Sequence, residues 1–342
     1  MRHIVENVFI AGGTGFIGYH AAKLFLERNI LVSTITLPGE IDLEGWYPKA
    51  VDIAFGNLFT MSKDEIVTLL KRQPYDTFIY ALGPDDRFVP PAPAYEFFHD
   101  KLVVQAYKIC QAAKEAGIRR CIVLNSYFSH FDKLYKHSLS KHHPYIRARI
   151  EQENAVFELD NTGFFDVMVL ELPFIFGVMP KRKPLWREHF LSFFDGRKQL
   201  FFPRGGGTAV ISVEGVAEAI VACAHNGESK TCYPVGKMNM TYRHLIETMM
   251  SIIGDRRKYV YVAPWLAGIF AGKIDSVYRR DGKESGLNHL RLMTDVLCKS
   301  FYVDPDFMMD RLGFEELGYS GGKSIETSLD ETMRACYPEK FQ

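Results

Sequence analysis

Tyr145 and Arg149 stand four residues apart in "HHPYIRARIEQE", residues 142–153. Pro144 suits a first helical position, where its missing N–H is not needed, so Tyr145 is expected in the first turn with Arg149 on the same face. A phenol titrates near 10, and a fixed positive charge about 4–6 Å away lowers that by about 1 to 3. The positive end of the helix acts in the same direction. Such a pair can give a proton to a substrate oxygen or take one from it, which is general acid–base chemistry at a carbonyl or hydroxyl carbon. Ser126 follows the apolar run "RCIVLN" (120–125) and is the hydroxyl residue at that strand end. The competing readings are a strand-end serine bonded to local backbone and a surface ion-bearing pair on the charged helix "RARIEQE".

The second chemical signal is "FIAGGTGFIGYHAAKLFLERN", with Gly12, Gly15 and Gly18 between an apolar run and an amphipathic one. This spacing lets the chain turn tightly off a strand and brings a pyrophosphate to a helix N-terminus, where free amides and the helix dipole meet its charge. Gly13, Thr14, Phe16 and Ile17 complete the loop. A lone glycine triplet is weak evidence, but strand, loop and helix here follow in the order that dinucleotide binding requires. An acid about 20 residues on would bind the adenosine ribose of NAD. Thr36 stands there in "TITLPGE", with Ser33 before it and Glu40 after. Hydroxyls can serve either a ribose hydroxyl or a 2′-phosphate, so NAD and NADP both stay open, and the missing acid tilts the choice toward NADP.

These residues need a scaffold. Apolar runs at 7–11, 31–36, 51–56, 76–82, 120–125 and 166–172 alternate with amphipathic segments, the pattern of a parallel sheet covered by helices. Ser62 and Glu65 stand in capping-box spacing at one helix start. Gly117 stops the long periodic stretch that begins near Tyr95. "GPDDRFVPPAPAY" (83–95) has four prolines, which exclude helix and central strand; it follows the fourth strand and is expected to cover a substrate. Beyond residue 173 the alternation loosens, and "TAVISVEGVAEAIVACAHNG" returns to strand-then-helix. The fold expected is α/β, a Rossmann-type doubly wound parallel sheet with a smaller mixed α/β C-terminal lobe. Residues 1–172, with 208–236 returning, form the dinucleotide-binding unit; 173–207 and 237–342 form the substrate lobe.

Charge is balanced, 41 basic against 41 acidic residues, which gives no support to nucleic acid or an anionic surface as partner. The six cysteines are scattered without a CxxC pair, as expected for reduced, buried thiols of a cytoplasmic protein. The N-terminus runs directly into a strand and shows no leader. "YVYVAPWLAGIFAG" (259–272) is too short to span a bilayer, and the expectation is that it forms second-lobe core rather than rests on a membrane surface. His142 and His143 lack a third ligand at a useful spacing, so no metal site is expected and both are assigned to a solvated loop. Lys181, Arg182, Lys183 and Arg187 fit either an anionic substrate or a solvated loop.

Taken together, "GGTGFIG", "GNL" (56–58), "NSY" (125–127), "PYIRAR", "ELPFIFG", "VISVEGVAEAI" and "RLGFEEL" resemble the extended short-chain dehydrogenase/reductase superfamily, the NAD(P)-dependent epimerase/dehydratase group, over nearly the whole chain. The resemblance implies Ser126 and Tyr145 as catalytic residues, with Arg149 where the family has lysine. It implies further cofactor contacts from Asn57 and Leu58, from Ala81, Leu82 and Gly83, and from Tyr145, Arg149 and Pro173. Several positions depart from the pattern. Arg149 cannot copy the compact ammonium that also holds the nicotinamide ribose; Lys141 is the nearby candidate to compensate. The family's helix asparagine falls at Lys101 or Leu102. Asn57 replaces an aspartate, and Thr208 replaces the arginine that binds the pyrophosphate of sugar nucleotides.

The function expected is NAD(P)-dependent hydride transfer at a carbonyl or hydroxyl carbon of a small molecule, with Tyr145 exchanging the proton. The alternatives are a nucleotide-sugar epimerase or dehydratase, and a non-catalytic dinucleotide-binding protein such as a redox sensor or assembly factor. The resemblance also offers a homodimer through the 95–116 and 143–160 helices.

Overall fold

The six apolar runs of the first half become strands, and their continuous hydrophobic character follows from burial on both faces. The computed structural model describes residues 3–39 and 42–341, so Glu40 lies outside the described residues. In chain order the strands are β1 (Asn7–Ala11), β2 (Leu31–Thr36), β3 (Asp52–Phe55), β4 (Thr77–Tyr80), β5 (Arg120–Ser126) and β6 (Asp166–Leu172). Beyond them come β7 (Phe174–Phe176), β8 (Gln199–Pro203), β9 (Gly207–Ser212) and β10 (Thr231–Pro234). One seven-stranded sheet runs in the order β10-β6-β5-β4-β1-β2-β3, every pair parallel. The order reverses between β1 and β4, which opens a crevice at the C-terminal ends of those strands.

Helices cover both faces. On one lie α1 (Phe16–Glu27) and, later in the chain, Val213–Asn226, packed on Val8, Ile10, Ile122 and Met168 with Ala21, Phe25 and Ile220. On the other lie α2 (Lys63–Leu70) and α4 (Gln105–Glu115), with Ile66, Ile109 and Ala113 on Phe9, Phe78 and Val123; α3 (Ala94–Phe98) buries Ala94 and Phe98 in a separate cluster with Tyr127, Tyr145 and Ile146. The Ser62–Glu65 capping box forms as its spacing requires. A π-helical turn, His99–Val104, joins α3 to α4 and buries Leu102. Two further helices bear on the chemistry: α5 (Phe128–Leu134) and α6 (Pro144–Glu158).

The C-terminal part differs from expectation in two places. The strand in "VISV" exists as β9, but it does not join the large sheet; it pairs with β7, with β11 (Met238–Thr241) and with the short β13 (Ser300–Phe301). Only β10 of that segment returns to the large sheet. The apolar stretch after β12 (Lys258–Val262), which pairs with β8, is the helix Pro264–Arg280, and it is not core. Of that helix only Ala267 and Gly268 are buried; Trp265, Ile269, Phe270 and Val277 are more than half exposed. An apolar run gives the capacity to be buried, and the fold leaves this one uncovered. Among the described residues no helix is long and apolar enough to cross a membrane. All six cysteines are free; four are buried, while Cys232 and Cys298 are half-buried.

Candidate active site

The glycine loop is built by contacts that exclude side chains. Gly12 sits at φ +93°, and a Cβ there would lie 2.4 Å from Ala81 O. A Cβ on Gly18 would lie 2.2 Å from Gly12 O, so α1 can approach β1 this closely only with glycine. Gly15 is the residue before α1, its amide bonded to Gly12 O at 3.0 Å. Two residues that sequence reasoning missed hold Gly13: Thr34 Oγ1 accepts from its amide at 3.1 Å, and the Tyr47 hydroxyl donates to its carbonyl at 3.0 Å. Thr34 is fully buried within β2; a polar residue inside an apolar run was the available signal. Tyr47 had none.

Thr36 ends β2, and its hydroxyl lies 3.2 Å from that of Thr14, so the two loops share a hydroxyl pair. Ser33 is mid-strand, 2% exposed and 3.5 Å from Asp52 Oδ2, so it does not reach the crevice. Asn57 closes a local turn through Oδ1, which accepts from Phe59 N at 3.0 Å, and Leu58 is buried beneath it. Ala81, Leu82 and Gly83 follow β4; Gly83, at φ +112°, packs against Leu102. Phe16 and Ile17 are half-buried at the start of α1, and Pro173 is buried between β6 and β7. All but Ser33 of these positions lie at the C-terminal edge of the sheet, where a dinucleotide crosses the switch point.

Ser126 ends β5 and Tyr145 lies in the first turn of α6, as the spacing predicts. Arg149 Nε donates to the Tyr145 hydroxyl at 2.9 Å. The rest of the guanidinium is engaged as well: Nη1 with Gln152 Oε1 at 2.9 Å and Leu124 O at 3.4 Å, Nη2 with Pro84 O at 3.4 Å. Asn125, the first residue of "NSY", which sequence reasoning gave no role, donates from Nδ2 to Arg149 O at 2.9 Å and so ties β5 to α6. The Ser126 hydroxyl accepts from Phe128 N at 3.3 Å, which is the local-backbone role of a strand-end serine.

The electrostatics differ from the simple tyrosine–cation picture. Burial raises the pKa of Tyr145 above that of an ordinary phenol; Arg149 pulls it down, and the Asp86 and Asp85 carboxylates push it up again. Desolvation wins over a single cation, because Tyr145 is only 3% exposed. The two acids come from the proline-rich 83–95 segment, which therefore borders the site. Burial would raise Asp85 too, but its contacts with Arg87, with Arg149 beyond, hold it below the usual carboxylate range. Asp86 is raised by burial and by its neighbour Asp85.

Other expected residues fall outside this constellation. Lys141 is exposed. Thr208 is fully buried and bonded to the Tyr127 hydroxyl at 2.8 Å. His143 is not a solvated loop residue: it is fully buried, Nδ1 accepts from Asn288 N at 3.1 Å, and Nε2 lies 3.5 Å from Asp295 Oδ2. Tyr145 N donates to Gly286 O at 2.9 Å, so residues 286–295 brace the first turn of α6 from the C-terminal part of the chain. Lys181, Arg182 and Lys183 are exposed, and Arg187 pairs with Asp195 at 2.9 Å.

Three solved structures illustrate how widely this architecture recurs. The crystal structure of gox2253 aligns over 98% of each chain at TM-score 0.72 and 17% identity. UDP-glucose-4-epimerase from Stenotrophomonas maltophila, solved with NAD and formylated UDP-arabinopyranose, aligns over 98% of this chain and 99% of its own, at 0.67 and 15%. dTDP-glucose 4,6-dehydratase from Bacillus anthracis, solved with NAD, aligns over 98% and 97%, at 0.65 and 13%. No curated protein matches the sequence. At these identities the likeness carries the fold; the sequence itself matches the profile of one family over residues 8–236, from the first strand through the glycine loop and α6 to β10. The chain belongs to the NAD dependent epimerase/dehydratase family.

Proposed function

We propose that this protein is an NAD(P)-dependent oxidoreductase of the epimerase/dehydratase type, acting on a carbonyl or hydroxyl carbon of a small molecule. The observation that carries the proposal is the 2.9 Å contact of Arg149 Nε with the Tyr145 hydroxyl, one turn into a helix that opens on the crevice. The cofactor fits the chain's own residues: Gly12 and Gly18 permit the close packing of the loop on β4 and of α1 on the loop, the arrangement that offers a helix N-terminus to a pyrophosphate. Thr36 then meets the adenosine ribose and, having no carboxylate, tolerates a 2′-phosphate, so NAD and NADP are both accommodated with NADP favoured. Nicotinamide, when bound, supplies or accepts the hydride. Tyr145 acts as the acid of the reducing direction, since burial keeps its proton in place at neutral pH. Ser126 orients the substrate oxygen with its free hydroxyl proton.

Residues 1–172 with 208–236 serve the cofactor, and 173–207 with 237–342 the substrate. The free cysteines suit a cytoplasmic setting. We extend the reading to a homodimer through the 95–116 and 143–160 helices, which would cover Val104, 47% exposed. The nucleotide-sugar reading draws support from the ligand of the Stenotrophomonas epimerase, but buried Thr208 offers nothing to a sugar nucleotide's pyrophosphate.

The test is a titration with NADH and NADPH followed by cofactor fluorescence, then carbonyl-substrate turnover by wild type and Tyr145→Phe. Saturable binding in both proteins, with turnover reduced by about 100-fold or more in the variant, is the expected result. Binding without turnover would assign the protein a non-catalytic role, and equal turnover in both proteins a tyrosine-independent one.

A further inference from the structure

One turn beyond Arg149, and not used by the chemistry above, a second polar cluster is buried between α5, α6 and the edge of the large sheet. Glu153 of α6, Glu171 of β6 and Cys232 of β10 each present a ligand atom, and these atoms all lie within 4.8 Å of one another. Glu171 is 1% exposed and Glu153 4%. Neither oxygen of Glu171, nor Oε2 of Glu153, accepts a hydrogen bond among the described residues. Leaving a buried carboxylate without hydrogen bonds is costly, and the ion pairs around it are long. His130 Nδ1 is 3.7 Å from Glu171 Oε2, and Lys133 Nζ is 3.5 Å from Glu171 Oε1.

We propose that Glu153, Glu171 and Cys232, joined by His130, form a binding site for a divalent cation of the zinc class. The donor set decides the class: a thiolate and an imidazole beside two carboxylates suit a borderline-soft ion and disfavour magnesium or calcium, which take oxygen ligands. With bonds of about 2.0–2.3 Å, tetrahedral zinc needs donors about 3.3–3.8 Å apart, so side-chain closure of about 1 Å brings Glu153, Glu171 and Cys232 to coordination distance, and His130, 3.7 Å from Glu171 Oε2, swings in as the fourth ligand. Lys133 is the competitor. Its ammonium contacts Glu153 closely, lies 3.8 Å from Cys232 Sγ, and stands where the ion would sit. Its side chain is 40% exposed, so it can turn out to solvent. The lysine is thus a built-in cation that a metal displaces. Coordination would pin the edge strand β10 to α6, the helix that carries Tyr145.

The experiment is a titration of the chelator-washed full chain with Co²⁺, as an optical stand-in, and with Zn²⁺ as competitor. The expected result is one equivalent of Co²⁺ with a thiolate charge-transfer absorption in the near ultraviolet, displaced by Zn²⁺. Cys232→Ser removes that absorption, Glu171→Gln weakens binding by about ten-fold or more, and Lys133→Met strengthens it by about ten-fold. Absence of the band in the wild type overturns the proposal. So does a band that survives in Cys232→Ser, because it would come from another cysteine. If Cys232→Ser fails to fold by circular dichroism, Lys133→Met decides: unchanged affinity overturns the proposal and tighter binding upholds it.

Discussion

Arg149 donates Nε to the phenol it polarises and spends its Nη groups on Leu124 O, Gln152 and Pro84 O. The two uses separate experimentally. Tyr145 is raised by burial, and Arg149 is the group pulling it down; Arg149→Met therefore lets the tyrosine climb further. In a pH–rate profile the limb that needs tyrosinate moves to higher pH, so the alcohol-oxidising rate at pH 8 falls by about 10- to 100-fold while the reducing direction, which needs the proton, falls less. Arg149→Lys keeps the charge but cannot reach all the partners of a planar fork. Leaving buried acceptors such as Leu124 O and Gln152 Oε1 unserved costs about 1–3 kcal/mol, which a denaturant midpoint measures. The pair itself was legible, because i and i+4 fix which side chains share a helix face. The acids opposite were not: Asp85 and Asp86 approach from a loop some sixty residues earlier, and no local spacing encodes that meeting.

At the scale of elements, the strands could be read because a parallel sheet buried on both faces demands unbroken apolar runs, as in "NVFIA" and "DVMVLEL". The glycine loop could be read because only glycine tolerates what Gly12 and Gly18 require. Gly18→Ala sets a methyl against Gly12 O, where an ideal Cβ would be at 2.2 Å. The expected outcome is a loss of about 1–3 kcal/mol in a urea melt, accompanied by weakened nicotinamide-nucleotide binding as α1 moves off the loop. Less could be read where pairing depends on distant partners. "VISV" has the composition of a strand for any sheet, and β9 joined the smaller one. The helix Pro264–Arg280 looked like core because apolar content is local, whereas what covers a helix is decided by the rest of the chain.

Across the whole molecule, His143 shows why adjacency in sequence is a poor guide to environment. Beside a charged, hydrophilic stretch it reads as solvated, yet Asn288 and Asp295 close over it completely. His143→Ala removes the acceptor for the Asn288 amide and the partner of Asp295. Hydrogen exchange should then show faster opening of residues 286–295 and of the first turn of α6, with a stability loss of about 1–3 kcal/mol. Unchanged protection in both segments would show that the histidine holds nothing together.

The amide of Tyr145 is anchored on Gly286 O, not on its own half of the molecule. The position of the proton donor is thus partly written in a segment far along the chain from α6. Selection for faster or altered turnover need not act in the crevice: small backbone adjustments between residues 282 and 288 re-aim the phenol by fractions of an ångström, a displacement to which proton transfer is acutely sensitive. Random mutagenesis scored on rate should accordingly enrich that segment, and a rate gained there should come without change in cofactor affinity.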